Sequence, residues 1–252
     1  MIIVRLMGGL GNQMFQWAYA KNLSLLNSMD LYFDLSFVNA DIQGVTKRYY
    51  SLGKFPGMQE KEFHPNMVNG RPFISVTDQT PLTSWDEDLN YFLNGYFQND
   101  KFFVESAQQI YDVFAAPSGL GDSFGVTENS VSLHVRRTDY LGSNGFHPVQ
   151  GIDYYESAIC EVGHYDRLFV FSDDIGWCRE NLNFENMVFV DGNDDVVDMW
   201  LMSLCRDNIM ANSSFSWWGA WLNRNPNKKV VYPKRWFGGQ DADIACVGWI
   251  GI

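Results

Sequence analysis

Apolar runs and polar breaks alternate along the chain, and they predict strands and helices in turn. The first apolar run, IIVRLM at residues 2–7, predicts a buried strand, and the glycine turn GGLG at residues 8–11 follows it. Residues 12–26 carry apolar side chains near helical spacing, and residues 31–35 predict a second short strand. The order strand, turn, helix, strand is the opening of an α/β domain.

The middle of the chain has a less regular pattern. Residues 40–90 carry scattered Gly, Pro, Asn and Asp and predict no clear element, whereas residues 91–97 fit a strand and residues 101–114 fit a helix. The segment 117–129, PSGLGDSFGVTEN, is rich in Gly and Ser. It predicts a boundary between two domains, 1–120 and 121–252.

The second half alternates strands with helices more clearly. The predicted strands cover residues 131–135, 168–171, 187–190, 208–211 and 230–232. The predicted helices cover residues 153–161, 176–181, 194–205 and 213–223. Strands separated by helices form parallel βαβ units. The sequence therefore predicts an α/β fold with two Rossmann-like domains facing a cleft.

Composition and charge narrow the function classes. The chain has 252 residues, of which 46% are hydrophobic and 19% charged, which excludes a disordered, collagen-like or coiled-coil protein. Its 30 acidic and 18 basic residues give a net charge of -12, which disfavours binding to nucleic acid or to anionic lipid. An anionic ligand must therefore find a local basic pocket.

Targeting signals are absent from the pattern. No stretch approaches the roughly 18 apolar residues of a membrane span, and the N-terminus does not resemble a signal peptide. The four cysteines show neither a CxxC pair nor zinc spacing. We therefore expect reduced thiols in a cytoplasmic protein, while peripheral contact with a membrane stays open.

The glycine turn is the first segment that could carry chemistry. Glycines after a strand let a ligand approach the backbone closely, and the next helix offers free N–H groups to an anion. The dinucleotide fingerprint needs a third glycine where this chain has Met14, so a nicotinamide or flavin site is disfavoured. A plain strand-to-helix turn is the alternative.

The segment HVRRTDY, residues 134–140, ends a predicted strand. Alternation places His134 and Arg136 on one face and Arg137 on the other. Ligands of open α/β sheets bind beyond the carboxyl ends of strands, and guanidinium groups match phosphate oxygens. We expect Arg136 to face a diphosphate and Arg137 to form an internal ion pair with Asp139.

Three further segments have both a structural and a functional interpretation. Ser213 and its neighbours could cap a helix or bind phosphate, and Asp198 could cap its helix or accept from a base edge. Asp173 and Asp174 could hold a metal or ribose hydroxyls, or cap the next helix. The DxD sequence at residues 241–243 lacks a preceding strand signal, so no metal site is predicted there.

Taken together, these segments resemble the α-1,2-fucosyltransferases of glycosyltransferase family 11. The resemblance rests on GGLGNQMFQWAYA, HVRRTDY, FSDDIGWCRENL and DMWLMSLCRDNIMANSSFSWWGAWLN, in order along nearly the whole chain. It implies a GT-B-like fold, GDP-fucose as donor, inversion, no metal and no other cofactor. It also implies a glycan acceptor with a terminal galactose, fucosylated at its 2-hydroxyl. The alternatives are another linkage such as α-1,6, another donor, or a non-catalytic nucleotide-sugar-binding protein.

The resemblance also implies roles for individual residues. His134 and Arg136 would contact GDP, with Arg136 on the β-phosphate. Asp198 would read guanine, and Asp173 and Asp174 would lie near the nucleotide. Phosphate and base would be held by Ser213, Ser214 and Phe215. The loop that faces donor and acceptor would contribute Gly9, Gly11, Asn12 and Gln13.

The general base is left open by the sequence. Core α-1,6-fucosyltransferases carry a glutamate after HVRR, and that place falls on Asn144 here. The remaining candidates are Asp139, His147 and Asp153, and a reaction without a strong base is a further alternative. Asp139 is preferred and His147 is second, although an ion pair with Arg137 would lower the basicity of Asp139.

Overall fold

The chain forms two compact units, Met1–Phe114 and Ala115–Ile252. The computed structural model describes residues 1–40, 47–143, 145–238, 240–241 and 243–252. The segment 117–129, predicted from its Gly and Ser content as a boundary, carries a short helix over Leu120–Phe124.

Unit 1 is built on a five-stranded sheet in which every pair is parallel. Its elements are β1 (Ile2–Arg5), α1 (Leu10–Asn27), β2 (Leu31–Asp34), β3 (Lys61–Glu62), β4 (Phe73–Val76), β5 (Asn90–Leu93) and α2 (Ala107–Phe114). The strand order is β3-β2-β1-β5-β4. The two edge strands, β3 and β4, lie in the stretch 40–90 for which no element was predicted, and most of their residues are exposed. β3 has no apolar residue, whereas β4 carries the short apolar run FISV in a stretch of scattered turn residues.

Two boundaries in unit 1 differ from the prediction for local backbone reasons. The strand predicted over 91–97 ends at Leu93, because the chain turns through Gly95 and reaches Phe97 with a left-handed φ of 50°. The helix predicted over 101–114 is two 3-10 turns followed by α2.

Unit 2 contains a six-stranded parallel sheet in the order β13-β10-β9-β6-β7-β8. Its helices are α3 (Leu120–Phe124), α4 (Thr138–Leu141), α5 (Ile152–Val162), α6 (Ile175–Asn181), α7 (Asp195–Leu204) and α8 (Ser214–Leu222). Its strands are β6 (Ser130–Val135), β7 (Arg167–Ser172), β8 (Met187–Phe189), β9 (Asp207–Ile209), β10 (Val230–Tyr232), β11 (Arg235–Phe237), β12 (Gln240–Asp241) and β13 (Ile250–Gly251). The pair β11-β12 is antiparallel and separate from the main sheet.

The central strand β6 sets the two faces of this sheet. Val131, Leu133 and Val135 pack in one apolar cluster with α5. On the opposite face, the Ser132 hydroxyl accepts from Asn208, and the His134 ring lies 5.6 Å from that of Phe215 in α8. The alternation predicted for His134 is therefore confirmed. The tryptophan-rich helix α8, over a segment predicted as a helix, is largely buried.

Two further expectations from the sequence concern the cysteines and membrane-spanning helices. The described residues include all four cysteines, and no disulfide joins any of them. No helix among the described residues combines the length and the apolar character needed to cross a membrane.

Candidate active site

Predicted site residues from three separate parts of the sequence meet at the carboxyl ends of β6, β7 and β9. The Arg137 backbone N–H, after β6, donates to Asp173, after β7, at 2.9 Å. The Tyr140 hydroxyl donates to the Asn212 carbonyl, after β9, at 2.8 Å. Because α/β sheets bind ligands at this edge, these residues form the candidate donor site.

Arg136 forms the central ion pair of the site. Its Nε and Nη2 donate to the two carboxylate oxygens of Asp139 at 2.9 and 2.8 Å, and Asp173 lies 3.3 Å from Nε. The predicted pairing of Arg137 with Asp139 is wrong. The short helix α4 begins at Thr138 and places Asp139 beside Arg136. Arg137 instead pairs with Asp174 at 3.4 Å and lies over the Trp177 ring, so its predicted structural role is confirmed with another partner.

Asp173 organises the turn that carries these arginines. Its carboxylate accepts from the backbone N–H groups of Arg137 and Thr138 at 2.9 and 3.1 Å, and from the Thr138 hydroxyl. These donors and Arg136 all bind the Asp173 carboxylate, which the family resemblance had placed near the nucleotide. Asp174 caps α6 by accepting from Trp177 N–H, so the capping interpretation holds for this residue.

His134 is buried at the same edge as a neutral side chain. It is 4% exposed, and its Nδ1 has no hydrogen-bond partner among the described residues. Burial, and secondly the charge of Arg136, lower the pKa of His134 from 6.5 to about 3. A buried polar atom without a partner is costly in a native protein, so this nitrogen fits a contact to a ligand.

His147 lies in an aromatic pocket next to the ion pair. Its ring stacks on Tyr140 at 4.6 Å and contacts Phe146 and Phe237. Burial lowers the pKa of His147, although Asp139 opposes this effect. The structure therefore brings two of the base candidates, Asp139 and His147, to the site.

The other two positions considered for the base do not join this group. Asp153 lies in the first turn of α5 with an exposed side chain, and it contacts none of these residues in the described part of the chain. Asn144, where the α-1,6 enzymes carry glutamate, lies outside the described residues.

The predicted phosphate and base contacts lie at the start of two helices. Ser213 is the N-cap of α8 and accepts from the Phe215 N–H at 3.3 Å, with Ser214 as the first helical residue. Asp194, rather than Asp198, caps α7. Asp198 accepts from Asn193 at 3.0 Å, and burial followed by the neighbouring acidic residues raises its pKa. Its carboxylate thus stays available as an acceptor.

The DxD sequence at residues 241–243 lies partly outside the described residues. Residue 242 and the side chain of residue 241 lie outside what the structure describes. Among the described residues, no group of three or more His, Cys, Asp or Glu side chains could hold a metal ion.

Unit 1 places its own group of predicted residues at the carboxyl end of β1. Gly8 has a φ of 73°, and the Asn12 amide lies where a Gly8 side chain would be. A side chain at Gly9 would come within 3.9 Å of Arg48 Nη1, so a guanidinium group lies beside the turn. Gly11 is buried at the start of α1.

Gln13 has a structural role that its motif did not indicate. Its side chain is fully buried, donates to the Gly8 and Tyr49 carbonyls at 3.0 and 2.8 Å, and accepts from Ser51 N–H at 2.9 Å. It therefore ties the segment that carries Arg48 to the glycine turn. Sequence reasoning could not find this role, because the two segments are joined only in the folded chain.

Sequence reasoning also missed Gln98. Its Nε2 donates to Asn12 Oδ1 at 2.7 Å. The available signal was its place after the predicted strand 91–97, since polar residues at the carboxyl end of a strand are where α/β sheets bind ligands.

Comparison with known proteins decides the family. The model of "Glycosyl transferase family 11" matches residues 1–252. The chain belongs to glycosyltransferase family 11. It is 32% identical to an α-1,2-colitosyltransferase of Escherichia coli, over 94% of this chain and 92% of that protein. It is 31% identical to the O-antigen biosynthesis glycosyltransferase WbnK of Escherichia coli, over 98% of this chain and 99% of that protein.

A more distant relative is a galactoside α-(1,2)-fucosyltransferase 1 of Bos taurus, 26% identical over 85% of this chain and 64% of that protein. The family 11 resemblance drawn from the motifs is thus confirmed, and the protein is a glycosyltransferase.

Solved structures support the fold of this family 11 member. The crystal structure of NodZ α-1,6-fucosyltransferase soaked with GDP-fucose has a TM-score of 0.54 at 11% identity, covering 88% of this chain and 91% of that one. NodZ from Bradyrhizobium also scores 0.54, at 12% identity, over 86% and 91%. At this identity the likeness concerns the fold alone. The predicted α/β fold with two Rossmann-like domains of the GT-B type is confirmed.

Proposed function

We propose that this family 11 enzyme transfers fucose from GDP-fucose to the 2-hydroxyl of a terminal β-galactose on a glycan, with inversion. The observation that carries the proposal is the Arg136 ion pair at the carboxyl ends of β6 and β7, beside the orphaned nitrogen of His134. In a chain with a net charge of -12, a guanidinium group at this edge is suited to an anionic donor. The names of its α-1,2 relatives support the linkage.

The reaction needs stabilisation of a leaving diphosphate. The bond from the fucose anomeric carbon to the β-phosphate oxygen breaks, and the anomeric carbon bonds the galactose 2-oxygen from the opposite side. Negative charge grows on the β-phosphate, where Arg136 would donate two hydrogen bonds, so the proposal needs neither a metal nor another cofactor. Asp139 holds the guanidinium in its bidentate geometry beforehand.

The proton of the acceptor hydroxyl needs a base, and the structure favours His147 over Asp139. Both Asp139 oxygens accept from the Arg136 guanidinium, so this carboxylate is engaged in an ion pair, which makes it a weaker base. His147 has a lowered pKa and is therefore neutral, and able to accept a proton, at neutral pH. We assign Asp139 as the residue that positions Arg136 and His147 as the base.

This assignment predicts the pH dependence of the rate. A base must be unprotonated, and burial lowers the pKa of His147 from 6.5, so the acid limb of kcat/KM should lie below pH 6.5. A pH profile of wild type and His147→Gln measures it, with the exposed His64→Gln as control. An acid limb that stays in place in His147→Gln would show that another group is the base.

The proposed guanine contact predicts a change in nucleotide selectivity. The Asp198 carboxylate can accept from the two N–H groups of guanine, whereas hypoxanthine lacks the exocyclic amine. Asp198→Ala should weaken GDP binding by about 10–100-fold and remove the preference for GDP over IDP. Calorimetry with both nucleotides tests this, with Asp195→Ala in the same first turn of α7 as control. Retained discrimination in Asp198→Ala would exclude the contact.

The donor is tested by a panel of nucleotide sugars. A specific alternative is GDP-colitose, because a relative of 32% identity is named a colitosyltransferase. Turnover of GDP-fucose and GDP-colitose is measured on one galactoside acceptor, with and without EDTA. The proposal expects fucose transfer that EDTA does not reduce. Preferred colitose transfer would change the donor, and tight GDP binding without any transfer would show that this galactoside is not the acceptor.

A further inference from the structure

The carboxamide of Asn12 accepts a side-chain hydrogen bond at the carboxyl edge of the unit 1 sheet. β1 and β5 are hydrogen-bonded neighbours, so the segments that follow them meet at this edge. Gln98, after β5, donates its Nε2 to Asn12 Oδ1 at 2.7 Å. The Asn12 Nδ2 then lies over Gly8, and it has no hydrogen-bond partner in the described part of the chain. The amide therefore presents a donor over the glycine turn.

Gln98 is itself presented by a rigid turn. The Asp78 carboxylate accepts from the backbone N–H groups of Tyr96 and Phe97, the latter at 2.6 Å. Phe97 is fully buried and its ring lies 4.7 Å from that of Tyr19 in α1. The turn is thus anchored to the same helix that carries Asn12. Such support from outside a contact is what holds a functional side chain in its productive geometry.

We propose that Gln98 is a positioning residue for the transfer reaction, because it turns Asn12 Nδ2 toward an oxygen of the bound substrates. The inference rests on the proposed function, and Asn12 lies at the carboxyl edge of the unit 1 sheet, where α/β folds bind ligands. The bound oxygen belongs either to a sugar hydroxyl or to a phosphate. An Asn12 amide rotated by half a turn would present its oxygen instead, which repels a phosphate oxygen and can only accept from a sugar hydroxyl, so a substrate oxygen that must accept loses its donor.

The test reverses the Asn12 amide without changing the size of the side chain at position 98. A glutamate carboxylate only accepts hydrogen bonds, so in Gln98→Glu the Asn12 Nδ2 must turn to the new carboxylate and leave Oδ1 toward the substrates. We expect kcat/KM for lactose to fall about 10-fold in Gln98→Leu and further in Gln98→Glu. The matched control is Gln109→Leu, an exposed glutamine on α2, which should keep the wild-type rate.

A double-mutant cycle separates positioning from a general structural effect. If Gln98 acts through Asn12, then Gln98→Leu should cause no further loss in the Asn12→Ala background. A changed KM for lactose indicates a sugar hydroxyl, and a changed Kd for GDP indicates a phosphate. Thermal unfolding of each variant confirms that the fold is retained.

Two results would overturn the positioning role. One is a Gln98→Glu enzyme with the wild-type rate, and the other is a pair of losses that add in the double variant. Wild-type transfer from GDP-fucose tests the proposed function separately, because the variants are judged only relative to wild type.

Discussion

Replacing Arg136 with alanine is expected to lower kcat/KM for fucose transfer by about 10²–10³-fold, the usual effect of removing a preorganised donor to a developing negative charge. The side chain is 22% exposed and lies at the sheet edge, so its loss leaves no apolar cavity. Asp139 and Asp173 lose their cation but keep access to water, and the fold should survive. Steady-state kinetics and thermal unfolding measure the two effects separately.

Lysine at the same position provides the matched control for charge. Arg136→Lys keeps the cation but cannot donate two parallel hydrogen bonds, so its rate should lie between those of wild type and Arg136→Ala. A near-normal rate in Arg136→Ala, with the fold intact, would remove Arg136 from the donor site.

Acid is expected to destabilise the protein strongly through His134. The folded-state pKa of His134 is about 3, below the value of 6.5 for an exposed histidine, because burial opposes the charged form. The unfolded chain therefore binds the proton more readily. The stability that neutral His134 contributes is fully present above pH 6.5, and it is lost at about 1.4 kcal/mol per pH unit as the pH falls toward 3.

Replacing His134 separates its contribution to the pH dependence of stability from the contributions of other titrating groups. His147 has a lowered pKa too and acts in the same direction, so the comparison must be made between wild type and His134→Gln. Chemical denaturation at several pH values should show a shallower loss below pH 6.5 in the variant. If the free energy of unfolding fell equally with pH in wild type and in His134→Gln, His134 would not be buried as a neutral group.

The sequence predicted the buried parts of the fold better than its edges. β1 and β6 are buried on both faces, so their sequences carry enough apolar positions to be recognised as strands. They lead into the glycine turn and HVRR, respectively. β3 and β4 are short and exposed, and their stabilising hydrogen bonds come from strands distant in sequence. β3 offers no apolar residue that could have indicated it, whereas the run FISV of β4 was a local signal that the prediction missed.

The sequence indicated several residues that lie at the candidate site, but not which of them form ion pairs with each other. Strand ends and motifs indicated His134, inside β6, together with Arg136 and Asp173, and the last two meet because they follow the parallel neighbours β6 and β7. The partner of Asp139 was wrong because the start of α4 decides which arginine it faces. The structural role of Gln13 was missed because its contacts, at Tyr49 and Ser51, depend on how a loop folds back.

The measurement that tests the account most directly is transfer from GDP-fucose to lactose, with the linkage of the product determined by NMR. The account predicts a fucosyl-α-1,2-galactose product whose formation EDTA does not reduce and Arg136→Ala nearly abolishes. Fucose attached at another hydroxyl, or transfer that Arg136→Ala leaves unchanged, would contradict it.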